Sequence, residues 1–145
     1  MTAKTTAQTL MNPAAPDSEC AALGAAMMDR WAMAKLIQTV TMGDFFDERN
    51  RLIYGAIEAV SERSGASIDA VMVKEELRRR TLGSGDKKQT ELDAVGGGDY
   101  LAKCVDLCVS YHNVEQHARY VREASLERQI FQQINITAED PSSQQ

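Results

Sequence analysis

The stretch RRRTLGSGDKKQT, residues 78–90, gathers glycines, two lysines and a threonine, the residue types that cradle phosphate. A nucleotide loop of the G-x-x-x-x-G-K-[ST] kind sets lysine directly after the second glycine, so that backbone amides and the ammonium converge on one anion. Gly83 is followed five residues later by Lys88, and Gly85 by Thr90, so neither register supplies that Gly-Lys pair. Such a loop also joins a buried strand to a helix N-terminus, whereas DAVMVKEELRRR ahead of it has a helical pattern. The stretch therefore reads as part of a long solvated connector over about 81–97. Cys104, Cys108 and His112 at i, i+4, i+8, with His117 beyond, pose a second question, because cysteine and histidine on one helix face suit zinc. Against this, Leu101, Cys104, Val105 and Cys108 make an ordinary apolar stripe in which free cysteine acts as a small hydrophobe. Ser110 and Asn113 also end a helix before His112, so buried, reduced, structural cysteines are the expectation. Glu75 and Glu76 stand before three arginines on a surface helix face. Motifs such as H-E-x-x-H or G-x-S-x-G are missing from the sequence. No catalytic, cofactor-binding or metal-ligating residue is expected.

With no active site legible, the elements themselves carry the reading. The chain has 145 residues, 43% hydrophobic and 26% charged, which suits one globular domain with its own core. Three unevenly spaced cysteines fit a reducing, cytoplasmic setting better than a disulfide framework. The N-terminus MTAKTTAQTLMNPAAP lacks the apolar stretch of a secretory signal, and no apolar run approaches a membrane span. A net charge of −5 disfavours holding a phosphate backbone, which needs clustered cations. The run Arg78, Arg79, Arg80, Lys87 and Lys88 suits a solvated helix end.

Apolar residues recur at helical spacing almost throughout. Asp17 or Ser18 is expected to cap a first helix, SECAALGAAMM, followed by RWAMAKLIQTV, by a helix within FFDERNRLIYGAIEAVSER, and by one capped at Asp69. A fifth starts in GGGDYLAKCVDLC and the longest runs from about Asn113 to Asn135. The expectation is an all-α bundle of about six helices ending in an antiparallel helical hairpin. ASIDAV is the one strand-like stretch, too short to found a sheet.

The order of segments resembles the N-terminal domain of DnaB-family replicative DNA helicases. An E-x-x-x-L-G segment matches Glu19, Leu23 and Gly24; a DFY/F…HRLIF.AI segment matches Asp44 to Ile57, with Asn50 where histidine is usual. Ile68, Asp69, Glu76 and Leu77 match a third segment, Gly97 or Gly98 with Tyr100 and Leu101 a fourth. Asn113 to Glu123 match NV-x-x-YA-x-x-VRE, with His117 replacing an aromatic. The family pattern places a short turn where this chain inserts GSGDKKQTE, a cheap change in an exposed connector.

The N-terminal stretch reads as a disordered arm over 1–16; the resemblance implies a collar domain over 17–136 and a polar tail or linker start over 137–145. It implies a non-catalytic domain that pairs subunits in a hexameric collar and docks primase, with ATP and magnesium belonging to a motor domain absent from this sequence. A helicase loader is a further implied partner. A stand-alone adaptor, either a loader or an inhibitor mimicking the domain, is the alternative, and a small helical nucleic-acid binder a weaker one. The hairpin that pairs subunits would be about 97–110 with 113–136. Its expected face comprises Tyr111, Val114, Ala118, Val121, Leu126 and Ile130. Val114, Ala118 and Val121 form one stripe, and Leu126, Ile130, Phe131 and Ile134 a later one rotated from it.

Overall fold

The computed structural model describes residues 13–65 and 67–139. Most of the expected arm, residues 1–12, and the tail from residue 140 lie outside the described residues. Seven α-helices are present among the described residues, with one two-stranded ribbon.

Helix α1 (Pro16–Met28) is the centre of the domain. Its start is set by Pro16 in the first turn, where the ring's fixed φ is already helical. Neither Asp17 nor Ser18 is the cap: that position is Ala15, without a side-chain hydrogen bond. Every residue from Glu19 to Met27 is buried, the pattern of a helix surrounded by others. Helices α2 (Arg30–Thr39), α3 (Glu48–Ser64), α6 (Gly97–Leu107) and α7 (Val114–Glu139) pack around it. Gly24 permits a close approach of α6, because a methyl group there would overlap the backbone carbonyl of Cys104 in that helix.

Local chemistry starts the other helices. Asp29 accepts from Ala32 N at 3.0 Å, Asp47 from Arg49 N at 2.9 Å and Asp69 from Met72 N at 2.8 Å. Each satisfies an orphan amide of α2, α3 or α4 (Ala70–Arg79). Gly65, at φ 72°, ends α3 in a conformation that other residues adopt only with strain.

The connector expected over 81–97 is ordered instead. Thr81–Leu82 (β1) pairs antiparallel with Gln89–Thr90 (β2), and the insertion GSGDKKQTE supplies the turn. At Gly83 (φ 78°) a side chain would meet the Lys87 carbonyl at 2.6 Å. Thr90 then caps α5 (Glu91–Val95), accepting from Asp93 N at 3.1 Å, and Gly96 closes it in the left-handed region at φ 101°. This short helix is the seventh, and ASIDAV contributes no strand.

The two C-terminal helices take a particular arrangement. Helices α6 and α7 follow one another through a single 3-10 turn at Tyr111–Asn113. They make little contact with each other; both lean on α1. The crowding of α6 onto α1 at Gly24 and the large apolar face of α7 explain why α1 is the shared partner. Among the described residues no helix is long and apolar enough to cross a membrane.

Candidate interaction face

The last helix changes character along its length. Its first half turns Val114, Ala118 and Val121 into the core, all at 1% exposure or less. Ser125 and Arg128 continue the same stripe at i+4 and i+7 from Val121 and are buried too. Burying them needs partners, and the turn after α2 provides these. The Asp44 carboxylate accepts from Arg122 Nη1 and Ser125 Oγ, both at 2.7 Å, and from Thr41 N at 2.8 Å. Arg128 donates to the Asp44 carbonyl at 2.7 Å and to the Pro13 carbonyl at 2.9 Å, its guanidinium 5.2 Å from the centre of the Phe46 ring. Burial alone would push the Asp44 carboxyl up; the bonds from Thr41, Ser125 and Arg122 outweigh it and hold the group below the usual range. Burial lowers Arg128 from its ordinary value.

Beyond Arg128 the described side chains of α7, residues 129–136, include no buried one. The eleven residues from Gln129 to Glu139 extend about 16 Å at the helical rise of 1.5 Å per residue. Leu126 (41% exposed), Ile130 (58%) and Ile134 (55%) lie at i, i+4, i+8 on the side turned away from the core stripe, and Ile136 is exposed at 61%. Phe131 is half-buried. Where the arm leaves the body, Tyr120, Ala124, Ile130 and Phe131 face Pro13 and Ala15 across an open cleft of about 600 Å³.

The expected face is thereby divided. Leu126 and Ile130 stand on the surface, whereas Val114, Ala118 and Val121 pack on α1, α2 and their neighbours within one chain and present nothing to a partner. Tyr111 is half-buried against the core and stacks on His112 at 4.2 Å. The zinc constellation does not converge: Cys104 and Cys108 are buried, while His112 is exposed between Tyr111 and Trp31. The arginine run is largely paired with carboxylates, Arg78 with Glu75 (3.3 Å), Arg79 with Glu76 (2.9 Å) and Arg80 with Glu91 (3.8 Å).

A second polar assembly ties three segments that carry the sequence motifs. Glu19, 1% exposed, accepts from Phe46 N (2.7 Å), Asp47 N (3.3 Å) and Asn50 Nδ2 (2.8 Å). Tyr100 donates its hydroxyl hydrogen to Asn50 Oδ1 at 2.6 Å, and Cys20 Sγ lies 3.3 Å from the Tyr100 oxygen. Glu19 thus belongs to α1, Asn50 to α3 and Tyr100 to α6, and one hydrogen-bonded chain holds all three helices in register. Sequence inspection missed Asp44, Arg122, Ser125 and Arg128 as a group. The available signal was a polar pair continuing the buried stripe of α7.

Residues 11–123 match the family described as DnaB-like helicase N terminal domain. The chain belongs to this family. The replicative DNA helicase DnaB of Rhodothermus marinus is 33% identical over 81% of the chain, and that of Geobacillus stearothermophilus 29% over 88%. The chain spans only 12% and 26% of these relatives' lengths. The crystal structure of the N-terminal domain of DnaB helicase from Mycobacterium tuberculosis superimposes with a TM-score of 0.79 at 25% identity, covering 88% of this chain and 84% of that one. In this DnaB-like domain the family match stops at residue 123, just before the exposed stripe of α7 begins at Leu126.

Proposed function

We propose that this DnaB-like domain is the non-catalytic collar portion of a replicative DNA helicase, that it pairs with a second copy through the projecting end of α7, and that the paired domains dock primase. The observation that carries the reading is the exposed stripe Leu126, Ile130 and Ile134 on an arm whose root is clamped by Asp44 and Arg128. An isolated helix of this length is marginal in water, so apolar residues on a projecting turn favour a covering surface. A specific pair needs roughly 800 Å² per partner with an apolar centre. Two such arms with the adjoining cleft offer a centre of that kind. The pairing of Arg78, Arg79 and Arg80 with carboxylates favours a protein partner over a nucleic acid.

Sedimentation over a wide concentration range tests the pairing. The wild-type chain is expected to associate reversibly, and Ile134→Asp to remain monomeric with an unchanged helical CD spectrum. A wild-type chain that stays monomeric at the highest attainable concentration removes the arm as a pairing surface. Titration of the associating chain with primase from the same organism tests docking: binding is expected, and a silent titration of a chain that does pair removes docking alone.

A further inference from the structure

We propose that the cleft beside α7 receives a basic amphipathic helix of another protein, held by Glu123 and Glu127. Tyr120, Ala124 and Phe131 form one wall of this cleft, and Pro13 and Ala15 the other. The α7 wall lies between the stripe packed in the core and the exposed stripe of Leu126, Ile130 and Ile134, with Ile130 bordering both cleft and stripe. Small-molecule sites enclose most of their ligand; an open cleft of about 600 Å³ suits side chains presented by a larger body.

The charges choose the occupant. Glu123 and Glu127 border the cleft one turn apart, and both are exposed. Like charges at i, i+4 weaken the helix that carries them. Among the described residues neither carboxylate has an ion pair, not even with Arg119 one turn before Glu123. Arg122 is committed to the Asp44 carboxylate, and Arg128 to the carbonyls of Asp44 and Pro13. A second copy's arm brings apolar side chains but no cation, since residues 129–136 contain neither lysine nor arginine. Pairing through that arm therefore leaves both carboxylates unanswered. A partner with lysine or arginine one turn apart, beside an apolar stripe, answers both.

The walls also select the partner's backbone. The peptide groups of α7 are bonded within the helix, and across the cleft the Pro13 and Ala15 carbonyls accept from Arg128 and from Glu19 N. The cleft thus offers no strand edge to an extended peptide, whereas a helix satisfies its own backbone and lays an i, i+3, i+4, i+7 stripe into a groove. From Tyr120 to Phe131 the wall runs about 16 Å, or about three turns of such a helix.

The test titrates the full chain into a fluorescein-labelled synthetic peptide of leucine, lysine and alanine, patterned as an amphipathic helix with lysines flanking the leucine stripe. Fluorescence anisotropy is expected to saturate. Glu123→Gln with Glu127→Gln should weaken binding by at least about tenfold. Glu62→Gln with Asp86→Asn removes the same charge at exposed positions elsewhere, and should leave the affinity within about twofold, because distant surface charges are screened. A peptide with serine in place of leucine should not bind. The proposal is overturned by an unsaturable signal, by equal losses in the two double variants, or by binding of the serine peptide. Ile134→Asp is titrated beside the wild-type chain and is expected to bind equally, whether or not the chain pairs. Binding by Ile134→Asp alone would make a second copy the occupant and overturn the proposal. A gain in affinity in Leu10→Ser with Met11→Ser would do the same in favour of the chain's own leading residues.

Discussion

Val114, Ala118 and Val121 share one unbroken helix with Ile130, Ile134 and Ile136, yet the two sets of side chains meet opposite fates. In the root, Val114, Ala118 and Val121 are covered by α1 and α2, and the charged residues that follow are matched by Asp44. In the tip, Ile130, Ile134 and Ile136 are more than half exposed. Both stretches read alike in sequence, as stripes at helical spacing. The difference shows that spacing marks a sticky face but not what covers it; that depends on whether the rest of the chain reaches so far.

The sharpest way to break this contrast is to place a charge in each half. Val121→Asp puts an unpaired carboxylate into the core, which costs several kcal/mol and is expected to abolish cooperative unfolding. Chemical denaturation monitored by CD checks this, and a native-like transition would mean that the root is less tightly packed than Val121's 1% exposure indicates.

Removing the clamp without touching the stripe comes next. Asp44→Asn is expected to cost on the order of 2–3 kcal/mol, since Arg122 and Ser125 lose a buried charged acceptor. Asp44 is held below its ordinary pKa, so its contribution is full above the unfolded value of about 3.9 and is lost as pH falls from there through the lower folded value. Asp47 and Glu76 are also held low, so the variant should flatten the acid limb of a stability–pH curve and leave part of it. Urea midpoints from pH 7 down to the acid transition measure this, and an unchanged acid limb would remove Asp44 as the clamp.

In the tip, Ile130→Asp is expected to shift monomer stability by no more than about 0.5 kcal/mol, as exposed substitutions do. A loss comparable to that of Val121→Asp would erase the distinction between root and tip. The smallest effect belongs to Lys87→Ala with Lys88→Ala on the ribbon turn, where both side chains are exposed. Their melting curve should overlay that of the wild-type chain, within about 0.5 kcal/mol.

Much of the fold was legible because helical periodicity and Asp caps are local signals. Asp69 and the stripe Leu101, Cys104 and Cys108 sit where their spacing places them. Helix α5 was hidden because five residues are too few to show a period, and the glycines around it signal a loop. The separation of α6 from α7 was hidden for another reason. A short turn suggests that neighbours pack together, and only the bare backbone at Gly24 reveals that α6 prefers α1. The Asp44 clamp joins residues far apart in sequence, for which one chain offers no pairing signal. The stripe from Leu126 onward was readable as an apolar stripe, but neither its exposure nor the burial of the stripe before it was, since both depended on those long-range partners.

Arg128 also gives the domain a mechanical fulcrum. Its guanidinium is bound on one side to the carbonyl of Asp44 and on the other to that of Pro13, at the point where α7 leaves the body. A sideways load on the tip acts through a lever of about 16 Å, and the torque falls on these two carbonyl bonds before it reaches the apolar packing around Val121. One of the two belongs to the strand of chain that leads into α1, so tension on that strand and tilt of the helix end are resisted by the same guanidinium.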